Sequence, residues 1–360
     1  MSFLTRLEIT SVRNIEEIKL DLNSRLNIIY GINGSGKTSI LEAAHLLAVG
    51  RSFRTAKTST LISEAKTGLT VFAETSHQSR IGLTKTNREK HKLKLDSELQ
   101  GNWDSVARKL PVQVLDSKSF LLLEGGPKAR RMFLDWGVFH VKHSFLRDWR
   151  STKKCVANRN ILLKGSQLDV SQLEVWEAEL CSSAAKVHAA RQEYFQKFEP
   201  VFRRVYTSLV DDTADPIFLE YWRGWPDGES LSALLSAERE RDRRYGATQN
   251  GPHRADILVK AGDRNAIDVL SRGQQKVLVC ALKIAQGILH ETVVDDKCIY
   301  LVDDLPSELD LKNRASILEV MYKLRCQLLV TCVDLSSIQN CLNHAAEKRT
   351  FHVERGTITP

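Results

Sequence analysis

The 360-residue chain contains no apolar run of the ~20 residues that a helix needs to cross a bilayer. Its longest apolar stretches, such as Val277-Leu278-Val279-Cys280-Ala281-Leu282, are far shorter. Its start, Met1-Ser2-Phe3-Leu4-Thr5-Arg6, has no basic stretch followed by a long apolar core, so no secretory leader is expected. None of the seven cysteines, at 155, 181, 280, 298, 326, 332 and 341, forms a C-x-x-C pair. They are expected to be reduced thiols of a cytoplasmic protein, mostly small core fillers. No internal repeat or low-complexity tract is visible. With 42% hydrophobic and 27% charged residues, the composition excludes a mostly disordered, collagen-like or small disulfide-stapled chain. The length predicts about two domains. Lysine and arginine number 52 against 44 acidic residues, a net charge of +8, which points softly to nucleic acid or another polyanion.

The first thirty residues alternate in hydrophobicity. Leu4, Leu7, Ile9, Val12, Ile15, Ile18, Leu20 and Leu22 predict two strands joined by a turn near Arg13-Asn14, and Leu26–Tyr30 a third, more buried strand. A helix follows residue 38, with Ile40, Leu41, Ala44, Leu47 and Ala48 on one face, and residues 69–75, 79–86 and 91–96 read as a β meander. From 129 to 210 the period is helical, with Lys164-Gly165-Ser166 as the turn of an antiparallel pair and Pro200 expected to kink or restart the second helix. The pair is either the core of a helical subdomain or a short projecting coiled-coil arm. An α/β pattern returns after 265, with strands at Ile299–Val302 and Gln327–Val333. The chain therefore reads as an α/β unit split by a helical insertion.

Gly31-Ile32-Asn33-Gly34-Ser35-Gly36-Lys37-Thr38 matches the phosphate-binding loop in full and lies between a predicted strand and helix. Glycines let backbone N–H groups turn toward phosphates, and the helix N-terminus adds partial positive charge. Lys37 is expected to reach the β- and γ-phosphates, and the Thr38 hydroxyl to ligate Mg²⁺. The apolar strand Ile299-Tyr300-Leu301-Val302 ends in Asp303-Asp304. Asp303 is expected beside Thr38, orienting Mg²⁺ or its waters, and Asp304 nearer the γ-phosphate, positioning the attacking water. Ser271-Arg272-Gly273-Gln274 precedes an amphipathic helix, where Ser271 alone would be an N-cap.

Placed between the phosphate loop and the acidic strand, Ser271, Gly273 and Gln274 resemble the signature motif of the ABC ATPases. That resemblance implies a two-subunit ATP sandwich, with Ser307-Glu308-Leu309-Asp310 in the place of the D-loop. More specific motifs narrow it. Leu7-x-Ile9-x-x-Val12-Arg13-Asn14, Gly50-Arg51-Ser52-Phe53-Arg54-Thr55, Gly125-Gly126-Pro127 through Leu134-Asp135, Gly251-Pro252-His253-Arg254-Ala255-Asp256 and Leu270–Gln274 together resemble the RecF family of bacterial recombination mediators. The resemblance runs to about residue 355. It implies an α/β ABC-type ATPase head built from 1–115 and 262–360, with a mostly helical lobe, 116–261, inserted. It also implies ATP and Mg²⁺ as cofactors, an ATP-dependent homodimer on DNA at gaps, and action with RecO and RecR. The consequences would be loading of RecA in place of single-strand-binding protein, replication restart and SOS induction. Gln113 stands where a nucleotide-binding Q-loop glutamine is expected. Asp116-Ser117-Lys118 replaces the usual Pro-Glu pair, Ala255 an acidic residue, and Thr331-Cys332-Val333-Asp334 offers no switch histidine.

Asp304 is one methylene shorter than glutamate, and a displacement near 1 Å can cost on the order of 10²-fold in rate. Slow, DNA-stimulated ATP hydrolysis is therefore expected, with ATP acting mainly as intersubunit glue. Basic residues cluster in the insertion: Lys128, Arg130 and Arg131, then Arg203 and Arg204, then Arg239, Arg241, Arg243 and Arg244. These are candidates for backbone-led DNA contacts without sequence readout, each run being otherwise a solvated helix face. His253 and Arg254 either contact nucleotide or hold the lobe interface. The runner-up reading is the ATPase subunit of a membrane transporter, against which stands the long separation of Lys37 from Ser271. A P-loop nuclease or kinase lacks support from any acidic cluster beyond 303–304.

Overall fold

The computed structural model describes residues 3–55, 57–87, 89, 91–165, 167–210, 216–304, 309–342 and 345–359. Ser166, Ser307 and Glu308 lie outside the described residues. The chain divides into two compact units, Met1–Phe120 with Val205–Asp211 and Arg272–Pro360, and Leu121–Arg204 with Asp212–Ser271.

The strands in chain order are β1 (Leu4–Val12), β2 (Ile15–Asp21), β3 (Leu26–Tyr30), β4 (Gly68–Thr75), β5 (Arg80–Thr86), β6 (Lys92–Leu95), β7 (Glu98–Gln100) and β8 (Val112–Leu115). Then follow β9 (Ile217–Trp222), β10 (Asp256–Ala261), β11 (Arg264–Asn265), β12 (Ile299–Val302), β13 (Leu328–Cys332), β14 (Lys348–Glu354) and β15 (Thr357–Thr359). The first unit holds two sheets, ordered β2-β1-β4-β5-β6-β7 and β15-β14-β3-β13-β12-β8. The former is antiparallel throughout, as the alternation of its strands requires. In the latter, β14, β3, β13, β12 and β8 pair in parallel. Their residues are accordingly near-continuous in hydrophobicity, as in β12 and β13, which are buried along their whole length.

The helix Lys37–Val49 lies in the core that joins these sheets. Ile40, Leu41, Ala44 and Leu47 share one buried cluster with Leu7, Ile9 and Val71 of the antiparallel sheet and Ile29, Leu301 and Leu329 of the parallel one. Burial consequently extends beyond the expected single face to Ser39, Glu42, Ala43 and Leu46. The helix Arg272–Val294 is long and apolar enough, by length and composition, to span a bilayer, because its polar residues are few and spread out. Its apolar residues are used inside the protein instead, with 67% of its most apolar window buried.

In the second unit the helices Phe145–Leu163 and Val170–Leu209 form the expected pair. Side-chain bonds Ser151–Glu179 and Arg159–Glu177 join residues later in the first helix to residues earlier in the second, the mark of antiparallel packing. Pro200 sits inside the second helix without ending it. A run of stacked rings, Tyr194–Phe198 at 5.9 Å and Phe198–Phe202 at 6.2 Å, with Phe133 edge-on to Phe198 at 5.6 Å, holds the helix on both sides of the proline. Cys155, Leu180 and Ala184 of the pair pack with Trp225, Leu231 and Leu235, so the pair builds the core of a lobe. The unit also contains a sheet that the helical periodicity hid, ordered β11-β10-β9. β10 pairs along its whole length with β9, and the chain changes unit at 120/121, 204/205, 211/212 and 271/272, where the sequence placed joints at 115/116 and 261/262.

A candidate nucleotide-binding site

β3 runs directly into the loop Gly31–Gly36, and the helix begins at Lys37. Gly31 has φ +150, and a Cβ there would stand 2.2 Å from the Val353 carbonyl oxygen of β14, so only glycine fits. Asn14, in the β1–β2 turn, braces the loop from outside. Its Nδ2 donates to the Gly34 carbonyl (3.0 Å), and its Oδ1 accepts from the Ser39 hydroxyl (3.1 Å). The Gly356 N–H donates to the Ser35 carbonyl (2.7 Å), adding a C-terminal brace. A cleft of about 670 Å³ opens over the loop, lined among others by Asn33, Gly34, Gly36, Lys37, Thr38, Arg54, Asp304 and Thr331.

Lys37 Nζ donates to the carbonyls of Gly31 (2.8 Å) and Ile32 (2.9 Å), and burial pulls its pKa below the usual lysine value. Asp303 receives hydrogen bonds on a single oxygen, Oδ1, from Thr38 (2.8 Å) and Thr331 (2.9 Å). Burial pushes its pKa up, opposed by those two hydroxyls. A hydroxyl and a carboxylate in contact are hard oxygen donors of the kind Mg²⁺ takes from protein, so the chemistry of this pair fits that ion. Asp304, next in sequence, has φ 51 and lines the cleft. Its N–H donates to Thr331 Oγ1 (2.9 Å).

The structure thus gathers Gly31 to Thr38, Asp303 and Asp304 into one place. Gln113 departs from expectation. It lies within β8, buried, with Nε2 donating to Gln286 (2.8 Å) and Oε1 accepting from Lys283 (3.4 Å), and it does not line the cleft. Both ends of its amide are used in the core beneath the helix Arg272–Val294. Ser271, Gly273 and Gln274 also do not line this cleft. They stand at the N-terminus of that helix, where Ser271 and Gln274 are exposed and a Cβ on Gly273 would meet open space.

Five residues of the site stand out in the sequence only as parts of motifs or as departures from them. Arg13 holds the fully buried Glu42 through two bonds of 3.1 Å, Nε to Oε2 and Nη2 to Oε1. Ser52 also donates to Glu42, and Arg54 lies 3.8 Å from it while lining the cleft. Asn14 and Thr331 have the roles given above.

Three residues of the second unit's basic runs, Arg130, Arg131 and Arg239, are engaged within the unit. Arg130 forms a bidentate pair with Asp256 (both bonds 2.8 Å), and Arg131 donates to the Ala255 carbonyl (2.7 Å). Asp135 holds Arg191, which donates to the Pro252 carbonyl (2.6 Å). The motifs at 125–135 and 251–256 are therefore each other's structural partners, and Arg130 and Arg131, expected on DNA, make bonds within this unit. His253 accordingly bonds the Thr248 carbonyl (2.9 Å), as does Arg254. Arg239 binds Glu174 and Glu177. Lys128, Arg203 and Arg204 are exposed, although Arg203 pairs with Glu199 one turn back. All seven cysteines are unpaired, and five are buried.

The profile of the RecF/RecN/SMC N terminal domain matches residues 3–359. The chain is 41% identical over 360 residues, 99% of its length and 98% of the relative's, to "DNA replication and repair protein RecF" of Pseudomonas syringae pv. syringae (strain B728a). It is 42% identical over 361 residues, with the same coverage, to the protein of that name in Pseudomonas fluorescens (strain Pf0-1). Among solved structures it resembles the recombination mediator protein RecF-ATPrS in the RecFOR pathway, with TM-score 0.86, 22% identity and 99% and 97% of the two chains covered. It also resembles the Smc head domain of Pyrococcus furiosus, with TM-score 0.58, 15% identity and 100% and 96% covered. The fold is that of an ABC-type ATPase head. Matched end to end by relatives sharing two-fifths of its residues, the chain belongs to the RecF family.

Proposed function

We propose that this chain is an ATP-dependent DNA-binding protein of recombinational repair. The observation that carries the reading is the bond from Thr38 to Asp303 beneath a complete phosphate loop, in a chain related along its full length to DNA replication and repair proteins. The loop's backbone and Lys37 would hold the phosphates of ATP, with Lys37 leaving the carbonyls of Gly31 and Ile32 for them. Thr38 and Asp303 would hold Mg²⁺, which neutralises charge on the β- and γ-phosphates when bound. Asp304 would orient the attacking water, with a reach shorter than glutamate's, so hydrolysis is slow, DNA-stimulated and serves to reset the protein.

The exposed start of the helix Arg272–Val294, with Ser271, Gly273 and Gln274, supports a composite site in which each subunit caps the other's nucleotide. The ATP-bound homodimer would clamp DNA at gaps through backbone contacts, for which Lys128, Arg203 and Arg204 remain candidates. It would act with RecO and RecR to help load RecA on DNA covered by single-strand-binding protein, supporting replication restart and SOS induction in the cytoplasm. The transporter reading is not favoured, since the relatives of full length are DNA repair proteins.

The test is DNA binding by native gel and sedimentation with ATP, ADP or neither, on the wild type and Lys37→Met. Dimer and DNA complex should form with ATP alone and be lost in Lys37→Met. Equal dimer fraction and DNA affinity in every condition defeats the clamp.

A further inference from the structure

We propose that Thr331 is a positioning residue of this site, whose one hydroxyl sets the Asp303 carboxylate and holds the left-handed backbone that turns Asp304 toward the cleft. The proposal rests on the nucleotide-site reading above.

β12 and β13 pair in parallel with Val302 opposite Val330, so the next residues, Asp303 just past the end of β12 and Thr331 still within β13, stand side by side. Thr331 is fully buried. Its Oγ1 accepts from the Asp304 N–H at 2.9 Å and lies 2.9 Å from Asp303 Oδ1. The amide can only donate and an ionised carboxylate can only accept, so the hydroxyl proton must point at Asp303. One rotor thereby satisfies two adjacent residues and has a single orientation.

What it holds is costly to hold. Asp304 adopts φ 51, a conformation that aspartate visits and most residues avoid. With its N–H engaged by Thr331, the backbone keeps that turn and the residue stays in the wall of the cleft. Asp303 is fixed at the same time, because its Oδ1 sits between the Thr38 and Thr331 hydroxyls. Lys37 and the loop carbonyls it binds make no bond to Thr331. Capture of the nucleotide and placement of the two carboxylates are thus carried by separate contacts, and substitution at 331 should divide them. A β-branched residue also suits this strand position, so valine keeps the shape and deletes only the hydroxyl.

The experiment compares wild type, T331V, T331S and K37M in the full-length chain. Affinity for a fluorescent ATP derivative is read in EDTA and with Mg²⁺, beside steady-state hydrolysis and thermal midpoint. T331V should keep the affinity in EDTA within about twofold, lose much of the Mg²⁺-dependent gain in affinity, with KM rising in step, and drop in kcat by roughly 10–100-fold. T331S, which restores the hydroxyl, should return kcat to near wild type. A T331V enzyme with wild-type kcat overturns the proposal. So does a T331S enzyme as impaired as T331V, which would assign the effect to the lost methyl group. T331A replaces T331V if valine does not yield folded protein. A wild type that binds nucleotide no better than K37M removes the nucleotide reading itself, a result separable from any difference among the 331 variants.

Discussion

Arg13 closes over Glu42 with two hydrogen bonds of 3.1 Å, joining the β1–β2 turn to the helix behind the phosphate loop. Glu42 has a side chain with no exposure, and Ser52 donates to the same carboxylate. Removing the guanidinium strands a buried negative charge, which is more damaging than losing a surface pair. Arg13→Ala should therefore cost roughly 2–4 kcal/mol in urea unfolding. The double variant Arg13→Ala/Glu42→Gln should recover part of that loss, because the neutral amide needs no counter-charge. A double variant no more stable than the single one would mean that the arginine acts through something other than Glu42.

How far the sequence could be read turns on distance along the chain. β1, β2 and β3, the loop at 31–38 and the acidic end of β12 each announce themselves within a few residues, by period two or by fixed spacing. The interactions that support them do not. Arg13 and Glu42 are 29 positions apart, Gln113 and Gln286 173 apart, and no local pattern shows which partner a polar side chain will find. Arg130 read as a DNA contact because it sits in a basic run, while the carboxylate that consumes it lies 126 residues away. The β9–β11 sheet went unseen for another reason. β9 and β10 are separated by helices and meet only in the folded lobe, so neither shows a hairpin turn to the other.

Arg159 carries the second unit's most concentrated polar network. Wholly buried, it donates to Glu177 at 3.0 and 2.9 Å, to Asp242 at 2.5 Å, to Thr248 at 3.0 Å and to the Leu235 carbonyl at 3.1 Å. No other side chain supplies such a planar fork, so lysine should not substitute. Arg159→Lys and Arg159→Ala should both destabilise this unit, alanine by roughly 3–5 kcal/mol. Hydrogen exchange would localise the loss to residues around 159, 177, 235 and 242. Uniform loosening across the whole chain would contradict a local hub.

Salt dependence separates the two kinds of arginine in the insertion. Arg130 faces Asp256, whose side chain is only 7% exposed, so Arg130→Ala should lower folding stability by about 2–4 kcal/mol. Lys128→Ala and Arg204→Ala touch exposed residues and should leave stability within about 0.5 kcal/mol. If either side chain meets a DNA phosphate, the plot of log affinity against log salt should flatten by ~0.9 for each phosphate that the variant no longer neutralises. An unchanged slope in both variants places the DNA elsewhere on the protein.

Two histidines make stability fall with acid. Burial is the main cause that pulls His253 and His45 down to about 4 from 6.5. Around His253, Arg254, Arg131 and Arg159 add positive charge, and its Nδ1 is buried without a partner. Arg51 and Lys283 act in the same sense on His45, although its bond to the Arg51 carbonyl opposes them. Between pH 6.5 and 4 the unfolded chain binds these protons and the folded chain does not, so protonation favours unfolding. Their full contribution is present above pH 6.5 and is lost as pH falls toward 4, with a slope of at most about 1.4 kcal/mol per pH unit for each group. Urea midpoints measured at about pH 7, 6 and 5, spaced to resolve that slope, should decline in order. His253→Gln should make the decline shallower, since its Nε2 can still donate to the Thr248 carbonyl and takes up no proton. An equally steep decline in that variant would show that His253 is not among the groups responsible.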